Sequence, residues 1–82
     1  MPVYTVQIWL RQWESGEEWD EIYIGEYHGE HLRPSHAARQ AVKDCGRWVA
    51  RGQNQFLEVE VSHGKRCWEY CYGPNDFKKK GR

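Results

Sequence analysis

The chain has 82 residues, enough for one small domain, and 12 basic residues balance 12 acidic ones. Hydrophobic residues at 39% fit a soluble globular protein, and no apolar run approaches the roughly 20 residues needed to span a bilayer. The start of the chain lacks the basic and apolar regions of a signal peptide, and three cysteines make an odd count for a disulfide framework, so a reduced, cytoplasmic protein is expected.

Residues 3–10, Val-Tyr-Thr-Val-Gln-Ile-Trp-Leu, alternate as a half-buried strand does. Tyr4, Val6, Ile8 and Leu10 point one way; Thr5, Gln7 and Trp9 point the other. Residues 12–18 form a polar turn around Ser15-Gly16. A second strand follows over 19–27, with Ile22 and Ile24 towards the core and Trp19, Glu21, Tyr23 and Tyr27 on the other side. The two strands make an antiparallel hairpin.

Residues 28–34 lead into a helix predicted over Ser35–Arg51. Ala38, Ala41, Val42, Cys45, Trp48 and Val49 recur on one apolar stripe, and Arg39, Lys43, Arg47 and Arg51 step by four into a basic one. Ser35 suits the N-cap, Pro34 blocks helix before it, and Gly52 suits the far cap. Gly46 costs the helix roughly 1 kcal/mol against Ala.

Beyond the loop at 52–54, residues 55–61 alternate again, with Leu57, Val59 and Val61 against Phe56, Glu58 and Glu60. A two-residue turn at His63-Gly64 predicts Ser62 opposite Lys65, Val59 opposite Trp68 and Leu57 opposite Tyr70. The last strand, 66–72, then sends Trp68, Tyr70 and Tyr72 to the core and Cys67, Glu69 and Cys71 to the other face. Trp48 of the helix is expected to meet Trp68 across the interface.

The fold class is therefore α+β, ordered β-β-α-β-β, with a mostly antiparallel sheet and one helix packed on one face. Residues 1–74 make the single domain. Residues 75–82 form a basic, flexible tail too charged to fold alone.

Charge is segregated along this plan. Residues 1–32 hold one basic residue against seven acids, and residues 33–82 hold eleven against five, so the halves carry −6 and +6. Such a layout either neutralises itself within the fold or steers charged partners.

Few constellations carry chemistry. Cys67 and Cys71 on one strand lie about 13 Å apart, too far to bridge each other or share a zinc ion. His28 and His31 with either cysteine match no compact zinc spacing. No nucleophile–base pattern and no Gly-rich phosphate loop is present. The expectation is a non-catalytic protein without metal or cofactor.

Two binding surfaces remain. One is acidic and aromatic: Trp9, Glu17, Glu18, Glu21, Tyr23, Phe56, Glu58 and Glu60, at the first hairpin and on the open sheet face. That face would suit a protein groove built for nucleic acid, or a second copy of the chain. The other is basic: Arg39, Lys43, Arg47 and Arg51 on the helix, Lys65 and Arg66 at the turn, and Lys78, Lys79 and Lys80 in the tail. It would give weak, salt-sensitive contact with DNA or RNA.

Two stretches, Ser35-His-Ala-Ala-Arg-Gln-Ala-Val-Lys-Asp-Cys45 and Gly64-Lys-Arg-Cys-Trp68, carry a resemblance. Together with the strands between them they resemble small phage-encoded anti-CRISPR inhibitors of the type I-F surveillance complex. The resemblance covers about half of the chain, and fold-level likeness alone does not transfer a site. It implies one helix on an antiparallel sheet and a phage or mobile-element origin. It also implies a protein that binds a CRISPR effector complex and blocks its access to DNA. No site residue is carried over, and the acidic hairpin has no counterpart there. The alternative is a small DNA- or RNA-binding module using the basic helix and tail.

Overall fold

A computed structural model describes residues 1–13, 19–45 and 54–73. Its elements are β1 (Val3–Trp13), β2 (Trp19–Glu30), α1 (Pro34–Cys45), β3 (Gln55–His63) and β4 (Arg66–Tyr72). The strands form one antiparallel sheet in the order β2-β1-β3-β4. β1 and β3 are the two inner strands, and Tyr4, Val6, Ile8 and Leu10 of β1 are all buried. β2 and β3 both pair antiparallel with β1, so they run parallel to each other, and α1 makes the crossover between them.

The helix buries Ala37, Ala38, Ala41, Val42 and Cys45 against Leu57, Val59 and Val61 and the core residues of β1. Three alanines on that face let the backbone approach the sheet closely. Burying each of the larger aliphatic side chains contributes roughly 1.5–3 kcal/mol. Cys45 Sγ donates to the Val42 carbonyl at 3.1 Å, and burial, with Asp44 adding to it, pushes this thiol up. No described helix is long and apolar enough to cross a membrane.

Three local expectations are corrected. The helix begins at Pro34, not after Ser35: the Arg33 carbonyl accepts from His36 N at 3.1 Å and Ala37 N at 3.2 Å, so Arg33 stands at the cap. Pro34 fits the first helical position because the N–H it lacks has no helical acceptor there. The second hairpin turns on Gly64-Lys65, not His63-Gly64, and pairs His63 with Arg66, Val61 with Trp68 and Val59 with Tyr70. Gly64 has φ +61°, the left-handed conformation that the first centre of a two-residue loop demands and glycine adopts without penalty. The register moves by two, so every side chain keeps its expected face. Trp68 packs edge-on against Tyr4, ring centroids 5.8 Å apart, with Tyr70 and Tyr72 also against the core.

The third correction concerns β2. A bulge interrupts its pairing: Trp9 faces Tyr23 but Ile8 faces Gly25. The extra residue reverses the alternation beyond it. Tyr27 therefore faces Val6 and packs against the core instead of lying on the open side. Its phenol is pushed up, by burial first and then by Cys45 and Asp44.

Both first strands also outrun their expected ends, to Trp13 and Glu30, and Trp13 pairs with Trp19. Trp13 N donates to the Asn54 carbonyl at 2.9 Å and Asn54 Nδ2 returns a bond to the Trp13 carbonyl at 2.5 Å, which joins β1 to the start of β3. Glu17, Glu18, Gly46, Arg47, Trp48, Arg51, Gly52 and residues 74–82, with the tail lysines, lie outside the described residues.

Candidate functional site: the uncovered face of the sheet

Strand alternation sends every second residue away from the helix, and the register places those residues in rows across the sheet. From β2 to β4, one row reads Glu21, Arg11, Phe56. The next reads Tyr23, Trp9, Glu58, Cys71; then Glu26, Gln7, Glu60, Glu69; then His28, Thr5, Ser62, Cys67. Glu30 follows opposite Val3. Six carboxylates (Glu21, Glu26, Glu30, Glu58, Glu60, Glu69) thus share this face with one guanidinium, that of Arg11, among the described residues.

Arg11 ties three strands together. Its Nη2 meets Glu21 Oε2 at 3.0 Å, and its Nε meets Glu58 Oε2, both of these last atoms being shut off from solvent. Partial burial strengthens the pair, and losing the arginine would leave a desolvated carboxylate. Glu60 and Glu69 are different. They stand directly opposite each other on β3 and β4, and no described cation pairs with either. Like charges so placed oppose pairing. Desolvation, with the charges of Glu60 and Glu69, pushes the Cys67 thiol up, and that thiol donates to Glu60.

A depression of about 250 Å³ runs between these groups, lined by Trp9, Arg11, Glu21, Glu58, Glu60 and Glu69. Beside it Trp9 and Tyr23 lean together, centroids 5.6 Å apart at 58°, and Tyr23 is 52% exposed. Further along, His28 lies 2.9 Å from Glu26 and 3.3 Å from Thr5. Cys67 and Cys71 are both exposed on the same face. Chemically this surface can accept cations and guanidinium groups and offer two rings for them to stack on.

Of the expected acidic and aromatic set, Trp9, Glu21, Tyr23, Phe56, Glu58 and Glu60 come together here, with Phe56 half-buried beside Arg11. Arg11 and Glu26 belong to the face as well, though neither stood in that set. Arg11 was hidden by ending β1 at Leu10, and Glu26 by assuming unbroken alternation in β2. One signal was available: apolar residues at 22, 24 and 27 break the period of two.

The basic candidates scatter. Arg39 and Lys43 are exposed on α1, on the opposite layer, and Lys65 and Arg66 are exposed at the hairpin turn. No protein family, curated protein or solved structure matches this chain.

Proposed function

We propose that this chain is a non-catalytic binding protein whose uncovered sheet face occupies a basic groove on a nucleic-acid-handling protein complex. In this reading it is an inhibitor of phage or mobile-element origin acting in the host cytoplasm, and a type I CRISPR effector complex is the partner to test first. The observation that carries the reading is the six-to-one excess of carboxylates over guanidinium on one described surface, flanking the Trp9–Tyr23 pair. A surface of that charge speeds encounter with a basic groove and repels a nucleic-acid backbone. The rings supply area that a partner can desolvate.

Two variants test it. Glu21→Lys/Glu60→Lys/Glu69→Lys leaves the Arg11–Glu58 contact in place, and Arg39→Glu/Lys43→Glu reverses the exposed helix stripe. Binding to a purified type I surveillance complex and to duplex DNA is measured for each, after circular dichroism has established folding. The acidic triple should weaken binding to the complex by about 10–100-fold, equivalent to roughly 1.4–2.8 kcal/mol. Loss of binding confined to the helix variant, together with salt-sensitive DNA binding by the parent, would favour a nucleic-acid module instead.

A further inference from the structure

β2 is an edge of the sheet and pairs with β1 alone, so one side of its backbone meets no described strand. Residues of a strand alternate the side to which their N–H and C=O point. Both backbone groups of Trp13 bond to Asn54, just before β3, so odd residues of β1 face β3 and even ones face β2. The bond from His31 N to the Pro2 carbonyl, at 3.2 Å, has the same parity. Tyr4 and Val6 therefore exchange bonds with Gly29 and Tyr27. Glu26, His28 and Glu30 turn their N–H and C=O away from the sheet, and no described group bonds to those atoms. Their side chains are exposed and lie on the uncovered face.

Such an edge is a template for one more strand, and its charge decides which strand. β2 carries Asp20, Glu21, Glu26 and Glu30 and neither lysine nor arginine. A second copy pairing about His28 would set Glu26 against Glu30 twice, and like charges so placed oppose pairing. The bulge interrupts the ladder between Tyr23 and Gly25, so the regular stretch of edge is 26–30. We propose that this edge takes up an extended basic segment of another protein as an added antiparallel strand, with lysine or arginine opposite Glu26 and Glu30. Directly opposed residues share a face, so the two cations stand four residues apart and project over the uncovered side. The residues between them alternate to the helix side, beside Tyr27 and Gly29. Backbone bonds supply affinity, and the two cations select the segment. The site is separate from the depression around Arg11 and needs no nucleic-acid-handling complex, so it and the function proposed above can fail separately.

The probe is a synthetic peptide, Val-Lys-Val-Thr-Val-Lys-Val, blocked at both ends. A control peptide is N-methylated at both lysines and the threonine, which keeps the charges and removes the pairing donors. Binding and amide hydrogen exchange are followed by NMR at about 0.15 M salt, where the Debye length is about 8 Å. In the protein alone the amides of Glu26, His28 and Glu30 should exchange faster than those of Tyr27 and Gly29, and the peptide should slow them. The N-methylated peptide should bind at least about tenfold more weakly. Glu26→Lys/Glu30→Lys should lose about as much for the parent peptide. Glu21→Lys/Glu60→Lys/Glu69→Lys, the variant that tests the function proposed above, should bind the peptide within about threefold of the parent protein. Equal binding of the N-methylated peptide would reduce the contact to charge alone and overturn the proposal. A loss in the triple variant as large as in the double would place the peptide in the depression and overturn it too. So would protection that appears on β4 instead, or outer β2 amides that become protected as the protein alone is concentrated, which would give the edge to a second copy.

Discussion

On the helix-covered face of the sheet, Ile8, Leu57, Val59 and Val61 have 0% exposure, while one residue along each strand Trp9, Glu58 and Glu60 turn to the other side. The same backbone thus carries two surfaces with different energetic scales. Burial of each aliphatic side chain contributes roughly 1.5–3 kcal/mol, whereas an exposed ion pair contributes about 0–1 kcal/mol. Stability therefore resides with the helix and the residues beneath it. The opposite face can hold like charges side by side, as Glu60 and Glu69 do, at modest cost.

The largest contrast should come from the core. Leu57→Ala removes a fully buried side chain of β3 from the core shared with α1 and β1 and should cost about 2–5 kcal/mol in urea unfolding. A loss below about 1 kcal/mol would mean that the helix does not close over this face. Arg11→Ala tests the one strong electrostatic contact of the other face. Its partners are partly exposed, with side-chain exposures of 48% for Glu21 and 30% for Glu58, so about 1 kcal/mol is expected. A double-mutant cycle with Glu58→Gln isolates the pair, and a coupling indistinguishable from zero would reduce it to a solvated contact.

The smallest effect has the opposite sign. Glu69→Gln removes a charge facing Glu60 and should stabilise the protein by about 0.2–1 kcal/mol at low salt. The same change removes one of the charges holding the Cys67 thiol up, so Cys67 should react with an alkylating agent at lower pH than in the parent. An unchanged alkylation profile would place Glu69 too far away to act on that thiol.

Period-two patterning made three of the four strands legible with their correct faces, because strand alternation is a local property of the backbone. The α1 stripe was legible for the same reason, through Ala38, Ala41, Val42 and Cys45. Errors arose where local rules compete. Ser35 and Arg33 both precede apolar helical positions, and a proline at the first turn decided between them. His63-Gly64 and Gly64-Lys65 both contain a turn glycine, but the positive φ belongs to the first centre.

By itself, then, the sequence determined the element order, the apolar face of each regular strand and the concentration of acids on the other side, since these follow from residue type and spacing. Tertiary structure alone decided the rest. Placing β1 between β2 and β3 requires the pairing of distant strands, and it brings Glu21, Arg11 and Glu58 from three strands into one contact. The bulge opposite Ile8 and Trp9 inserts one residue into β2, which turns Tyr27 into the core and Glu26 out. Where the extra residue goes depends on which partner each side of the strand must meet, and that is a property of the packed sheet.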